Sequence, residues 1–278
     1  MYPFSTISIK IIRKKRERTM NKTPAEFSIK VFKDLKNPHR YLRKNLKTQQ
    51  INFSSLVDLW VNEDNEEKLI DFIKNFHQYL KYNSWVKISE YVSSLEFIDL
   101  FSNKINWNVI RDRVLENKLE INIDWLIHNL YKLDSVRNEP FLSVYKVNLT
   151  QLRKLIKVLD YTNLTIVSRY QQLSEALLRN HPELDLIGVI KNDSVESIPV
   201  EYISDKLNPL KKLLINWKGM TLGEFKRLSL VLGSDKDLFT VVNRNNKNSS
   251  ELKEFLRTTT LTELNEIGIP SNFFTDGL

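Results

Sequence analysis

Between Asp64 and Tyr82 the chain reads DNEEKLIDFIKNFHQYLKY. Leu69, Phe72, Ile73, Phe76, Tyr79 and Leu80 recur there at three- and four-residue spacing, which is one apolar face of a helix. The acids that lead the segment complement the positive end of the helix dipole. The same alternation returns along the chain, each time behind a polar start signal. Thr23-Pro24-Ala25-Glu26 reads as a capping box with proline at the first helical position, and EFSIKVFKDLK runs on to Asn37-Pro38. Ser93-Ser94-Leu95-Glu96 predicts a second box opening EFIDLFSNK, and Asn148-Leu149-Thr150-Gln151 a third opening TQLRKLIKVLD. A long helical stretch, SRYQQLSEALLRN, is expected next, and Pro182, Pro199 and Pro209 then cut the chain into short helices. Residues 134–148, DSVRNEPFLSVYKVN, break the periodicity and mark a joint between two halves.

A recurrent step stands out against this background. NSWVKI at 83–88, INWNVI at 105–110 and NIDWLI at 122–127 each place a tryptophan behind Ser84, Asn106 or Asp124. These three are favoured N-cap residues. The reading is that each caps a helix and that Trp85, Trp107 and Trp125 fold back over the preceding helix. Ile88 and Ile110 land on the same face three residues on, whereas the third copy carries His128 there. Helices this short cannot bury their own apolar faces, so stacking as degenerate repeats is expected.

The run SWVKISEYVSSLEFIDLFSNKINWNVI resembles the INW-type short helical repeats of large DNA virus and phage proteins. Trp85, Ile88, Ser89, Ser94, Glu96, Phe97, Ile98, Lys104, Ile105, Asn106, Trp107 and Ile110 carry the likeness, and counting the third copy it spans residues 84–128. The resemblance implies helical scaffolding in a viral or phage setting, and no reaction.

Composition narrows the function classes. The 278 residues contain no cysteine, which removes disulfides, thiol nucleophiles and most structural zinc sites. The histidines at 39, 77, 128 and 181 follow no ligand spacing. All six glycines lie at or after 188, and none forms a phosphate loop, a dinucleotide fingerprint or a nucleophile elbow. No apolar run approaches the roughly 20 residues of a membrane helix, so no membrane role is expected. The formal charge of +8 is concentrated in the first 19 residues. Lys10, Arg13, Lys14, Lys15, Arg16 and Arg18 stand there against Glu17, leaving +3 on the other 259 residues. This stretch reads as a basic disordered arm, a targeting segment, or residues upstream of a true start at Met20.

Three further features bear on chemistry. TLGEFKRLSLVLGSDKDLFTVVNRN at 221–245 fits a helix-turn-helix template, with Ser229 small, Gly233 at the turn and Phe239 and Val242 inside. Lys236, Asn243 and Arg244 would then face DNA. Against it, Asp235 and Asp237 would face phosphates, and a Thr221/Glu224 capping box followed by a glycine stop explains the segment as two ordinary helices. The acidic groups Glu63/Asp64/Glu66/Glu67, Glu116/Glu120 and Glu183/Asp185, the last beside His181, read as helix-end charge. HRYLRKNLK at 39–47 mixes Arg and Lys with Tyr41, which reads as a solvated basic face or, in the nucleic-acid alternative, as a contact by charge and stacking.

The expectation is therefore an all-α protein: a stack of short Trp-capped helices followed by a second helical bundle. Its domains would be a basic tail at 1–19, a helical domain at 20–135 and another at 145–278. It would be a non-enzymatic protein–protein interaction or assembly factor of the cytoplasm, with no cofactor, metal or catalytic residues. A nucleic-acid-binding regulator using the basic arm and residues 221–245 is the alternative. The partner's identity and the oligomeric state are not written in the sequence.

Overall fold

The computed structural model describes residues 51–203, 206–229, 236–246 and 249–266, together with 40, 42, 43 and 232. Among the described residues there are seventeen α-helices and no strand. None of these helices is long and apolar enough to cross a membrane. The chain divides between Ile121 and Asn122 into two compact units. The joint expected at 134–148 lies inside the second. There Pro140 caps a short helix at Phe141–Val144, and the Asp134 carboxylate accepts from the Phe141 amide at 2.6 Å.

The first unit holds α1 (Phe53–Asn62), α2 (Glu66–Phe76), α3 (Tyr82–Tyr91), α4 (Leu95–Leu100) and α5 (Trp107–Leu115). The apolar stripe read at 64–82 is buried at Leu69, Phe72, Ile73 and Phe76, while Tyr79 stays exposed. Phe53 of α1 stacks on Phe72 and Tyr79, and Trp85 meets Phe101 at 5.4 Å between ring centres. α1 packs on α3, and α3 on α5.

The second unit holds α6 (Ile123–Ser135), α7 (Phe141–Val144), α8 (Leu149–Ile156), α9 (Tyr161–Tyr170), α10 (Glu175–Asn180), α11 (Leu186–Ile190) and α12 (Val200–Ile203). It continues through α13 (Leu207–Asn216), α14 (Leu222–Arg227), α15 (Lys236–Asn245), α16 (Ser250–Thr258) and α17 (Leu261–Glu266). α7 packs on α9, α9 on α11 and α13 on α15. The interleaved helices pair in turn, α10 with α12 and α14 with α16.

A chain without glycine before residue 188 still has to stop its helices. Two stops use Asp64 and Asn117 in the left-handed region, at φ 49° and 56°. Each closes a Schellman turn: Asp64 N donates to Val61 O and Asn65 N to Trp60 O, and Asn117 N donates to Val114 O and Lys118 N to Arg113 O. Asp and Asn are the residues that tolerate this conformation best after glycine.

The caps correct three sequence expectations. Ser84 does not cap α3; the helix begins after Lys81, so Ser84 is inside it, buried and bonded to Ser54 Oγ at 2.9 Å. Asp124 does not cap α6; Asn122 does, accepting from Trp125 N at 2.8 Å. Only Trp107 occupies a first helical position, behind Asn106. Ser94 caps α4, but Glu96 does not complete a box. The Ser93 and Ser94 amides are taken by Glu66 of α2, at 2.8 and 2.9 Å. The boxes at Asn148/Gln151 and Thr221/Glu224 form as read. Thr23–Glu26 lies outside the described residues.

Candidate functional site

Five other helix ends are closed by side chains. α3, α7, α9 and α13 each end on a residue in extended conformation: Val92, Tyr145, Gln171 and Trp217. Such an end leaves carbonyls without an intrahelical donor. In each case a buried polar side chain from a later element supplies it. Arg113 Nη1 donates to Ser89 O and Val92 O, both at 2.7 Å. Gln171 Nε2 donates to Leu142 O and Tyr145 O, at 2.6 and 2.8 Å. Asn192 Nδ2 donates to Ser168 O and Gln171 O, both at 2.8 Å. Asn246 Nδ2 donates to Trp217 O at 3.1 Å. At the end of α11, Arg227 Nε reaches Ile190 O at 2.7 Å. These clamps couple one helical layer to the next.

One layer of each unit shares this construction position for position, at a shift of 79 positions (Ser89 to Ser168). Ser89 Oγ donates to Trp85 O and accepts from Asn106 N, 17 residues on. Ser168 Oγ donates to Leu164 O and accepts from Asp185 N, also 17 residues on. Both serines are fully buried. Their clamps, Arg113 and Asn192, follow 24 residues later. Tyr82 and Tyr161 open α3 and α9, and each hydroxyl bonds the N-cap side chain 24 residues on, Asn106 or Asp185. Both rings are largely exposed. The α9–α11 contact is close: a Cβ on Gly188 would lie 2.7 Å from Ser168 Cβ and 3.0 Å from Thr165 O.

Along the clamped ends of the second unit runs a cleft of about 530 Å³. Lys146, Arg169, Tyr170, Gln172, Lys191 and Ser194 line it, together with the buried Asn192. The amide of Asn192 is saturated, because its oxygen also accepts from the Ser194 amide and hydroxyl. Arg169 lies over the Tyr170 ring at 5.3 Å, and Lys191 over Trp217 at 5.5 Å. Asp193, the one acid in the lining, pairs with Arg227 at 3.2 Å.

No known protein family, curated protein or solved structure matches the chain.

The residues singled out from sequence are dispersed. Trp85 and Trp107 are buried in the first unit and Trp125 in the second. Asn243 is half-buried and Arg244 exposed near the end of α15, which Lys236 opens. Phe239 and Val242 are buried as expected, with Phe239 edge-on to Phe225 at 5.9 Å. Arg227, within the same segment, is 6% exposed and occupied as a clamp. Lys10, Arg13, Lys14, Lys15, Arg16 and Arg18 lie outside the described residues, as does Gly233. Of the basic face at 39–47, Arg43 donates to Asn75 Oδ1 at 2.9 Å and Leu42 is buried.

The acidic groups serve structure. Asp64 accepts from Tyr91 Oη at 2.9 Å; burial and this carboxylate push the phenol up to about 12. Glu116 pairs with Lys118 at 2.7 Å on the surface. Asp185 caps α11 through Gly188 N at 2.7 Å. His181 Nδ1 lies 2.8 Å from Glu183 Oε1. Burial pushes the Glu183 carboxyl up, but the hydrogen bond to His181, a backbone bond and Lys206 together hold it below the ordinary range. Among the described residues no group of three or more His, Asp and Glu is placed to hold a metal ion. The cleft and the clamps escaped the sequence reading. Their only sequence signal is a single polar residue within or just after a helix, which looks like any solvated helix position.

Proposed function

We propose that this protein is a non-enzymatic helical-repeat scaffold that binds another protein. The observation that carries the reading is the clamp-and-serine arrangement recurring with the same 17- and 24-residue spacings in both units. Helical layers built to one plan present an extended surface whose exposed side chains vary while the frame stays constant. The viral or phage setting belongs to the same proposal and rests on the resemblance of residues 84–128 alone.

Anisotropy with labelled duplex and single-stranded DNA tests the reading against its alternative. The scaffold reading expects no binding that survives physiological salt, together with a protein partner retained at about 0.5 M salt, where exposed charge pairs are screened. DNA binding that persists at physiological salt in a chain starting at Met20 would replace it with a nucleic-acid regulator.

A further inference from the structure

Resting on the scaffold reading, we infer that the cleft of the second unit takes an acidic, extended polypeptide segment of the partner. Three cations, Lys146, Arg169 and Lys191, line it and all are exposed. Its single carboxylate, Asp193, is already paired with Arg227. Cations at helix ends have an ordinary explanation, since they complement the dipole and the free carbonyls. Lys146 fits that in part, donating to Ser143 O and Tyr170 O. For the other two the helix-end carbonyls are already satisfied, by the Asn192 amide here and by the Arg113 guanidinium at the matching end of the first unit. At the same 79-residue shift, Arg169 corresponds to Glu90, Tyr170 to Tyr91 and Lys191 to Asp112. The frame thus accepts acids at both positions while keeping the tyrosine. The positive charge of this cleft is therefore a property of its surface and not a requirement of the fold, and surface charge of one sign selects a partner of the other.

A peptide fits this lining better than a nucleic acid does. Single-strand binding needs an open aromatic face for a base to stack on. Arg169 already covers one face of Tyr170. The exposed side chain of Gln172 offers the amide partner that a peptide backbone uses.

The test uses the full chain and a fluorescein-labelled Glu-Ser-Asp-Gly peptide of about twelve residues, long enough in extended form to cross a cleft of this size. Controls are the same peptide with Gln and Asn in place of its acids, and a labelled oligo-dT of equal charge. The variant Arg169→Glu/Lys191→Asp installs the residues the first unit carries, so its thermal transition should be kept. If it is not, Arg169→Gln/Lys191→Gln takes its place. The control variant is Arg153→Glu/Lys154→Glu, an exposed basic pair on α8. We expect the acidic peptide to bind, the neutral one not to, and the cleft variant to lose about tenfold or more in affinity while the control variant loses less than about twofold. Equal loss in both variants would mean diffuse attraction and overturn the proposal. So would absent binding at millimolar peptide. Tighter binding of oligo-dT that shares the cleft variant's loss would make this a nucleic-acid cleft instead. If a protein partner is retained at high salt and also survives the cleft variant, the scaffold reading stands and only the cleft assignment falls.

Discussion

At the scale of single residues, the buried serines repay the closest reading. Ser89 and Ser168 each donate to the carbonyl four residues back and accept an amide from the N-cap of a later helix. Ser89→Ala or Ser168→Ala would leave that part-buried amide without its acceptor. A loss of about 1–3 kcal/mol in urea unfolding is expected for each, and unchanged stability would mean that water replaces the hydroxyl. Backbone freedom gives a second pair of outcomes. Gly188→Ala forces a methyl against Ser168 Cβ and the Thr165 carbonyl, and overpacking of this kind costs about 1–3 kcal/mol. Asn117→Gly relieves a left-handed residue at a Schellman turn and should stabilise by about 0.5–1 kcal/mol. Opposite signs for the two in one thermal melt series would bear out both assignments.

At the scale of elements, most helices were legible because their signals are local. Asn148/Gln151 and Thr221/Glu224 form the boxes their spacing announces, since both partners lie in one turn. The failures came where a polar run offered several caps or where the partner sits far away in sequence. In KYNSW the helix starts at Tyr82, earlier than the preferred cap type suggests, because a buried Ser84 can bond Ser54. Glu96 lost its role to Glu66, which no local pattern could reveal. The 79-residue echo was hidden for a similar reason. Tyr82/Tyr161 and Ser89/Ser168 are identical, but the clamp is a guanidinium in one unit and an amide in the other. Geometry was kept while chemistry changed.

The turn between α10 and α11 carries a pH prediction of the same local kind. The Glu183 carboxyl is held low in the folded state, mainly against the opposing effect of burial, by His181, a backbone bond and Lys206. Its folded value lies below its unfolded one, so its stabilising contribution is present above the unfolded value, about 4.3. That contribution is lost as the pH falls through the folded value. Glu183→Gln should lower the urea midpoint at about pH 7 and flatten its decline toward about pH 3. A variant that keeps the parental slope would assign the acid loss to other carboxylates.

At the scale of the whole molecule, stability in such a chain is expected to be distributed layer by layer. The amide clamps join neighbouring layers: Gln171 ties the ends of α7 and α9, Asn192 ties α9 to the segment after α11, and Asn246 ties α13 to the end of α15; Arg227 of α14 reaches further, to the end of α11. A stack held this way approximates a chain of nearest-neighbour couplings, and its layers can open separately. The consequence is measurable within the second unit. Hydrogen exchange on Ser168→Ala should show the greatest loss of protection in α9 and α11, less in α7, and least in α15 and α16. A single cooperative core would respond differently, with every amide that exchanges by global unfolding losing the same amount. Uniform loss across α7 to α16 would therefore reject the layered description. A graded loss would show that the recurring clamps set the unit of cooperativity, which is what lets one frame carry acids on one surface and cations on another.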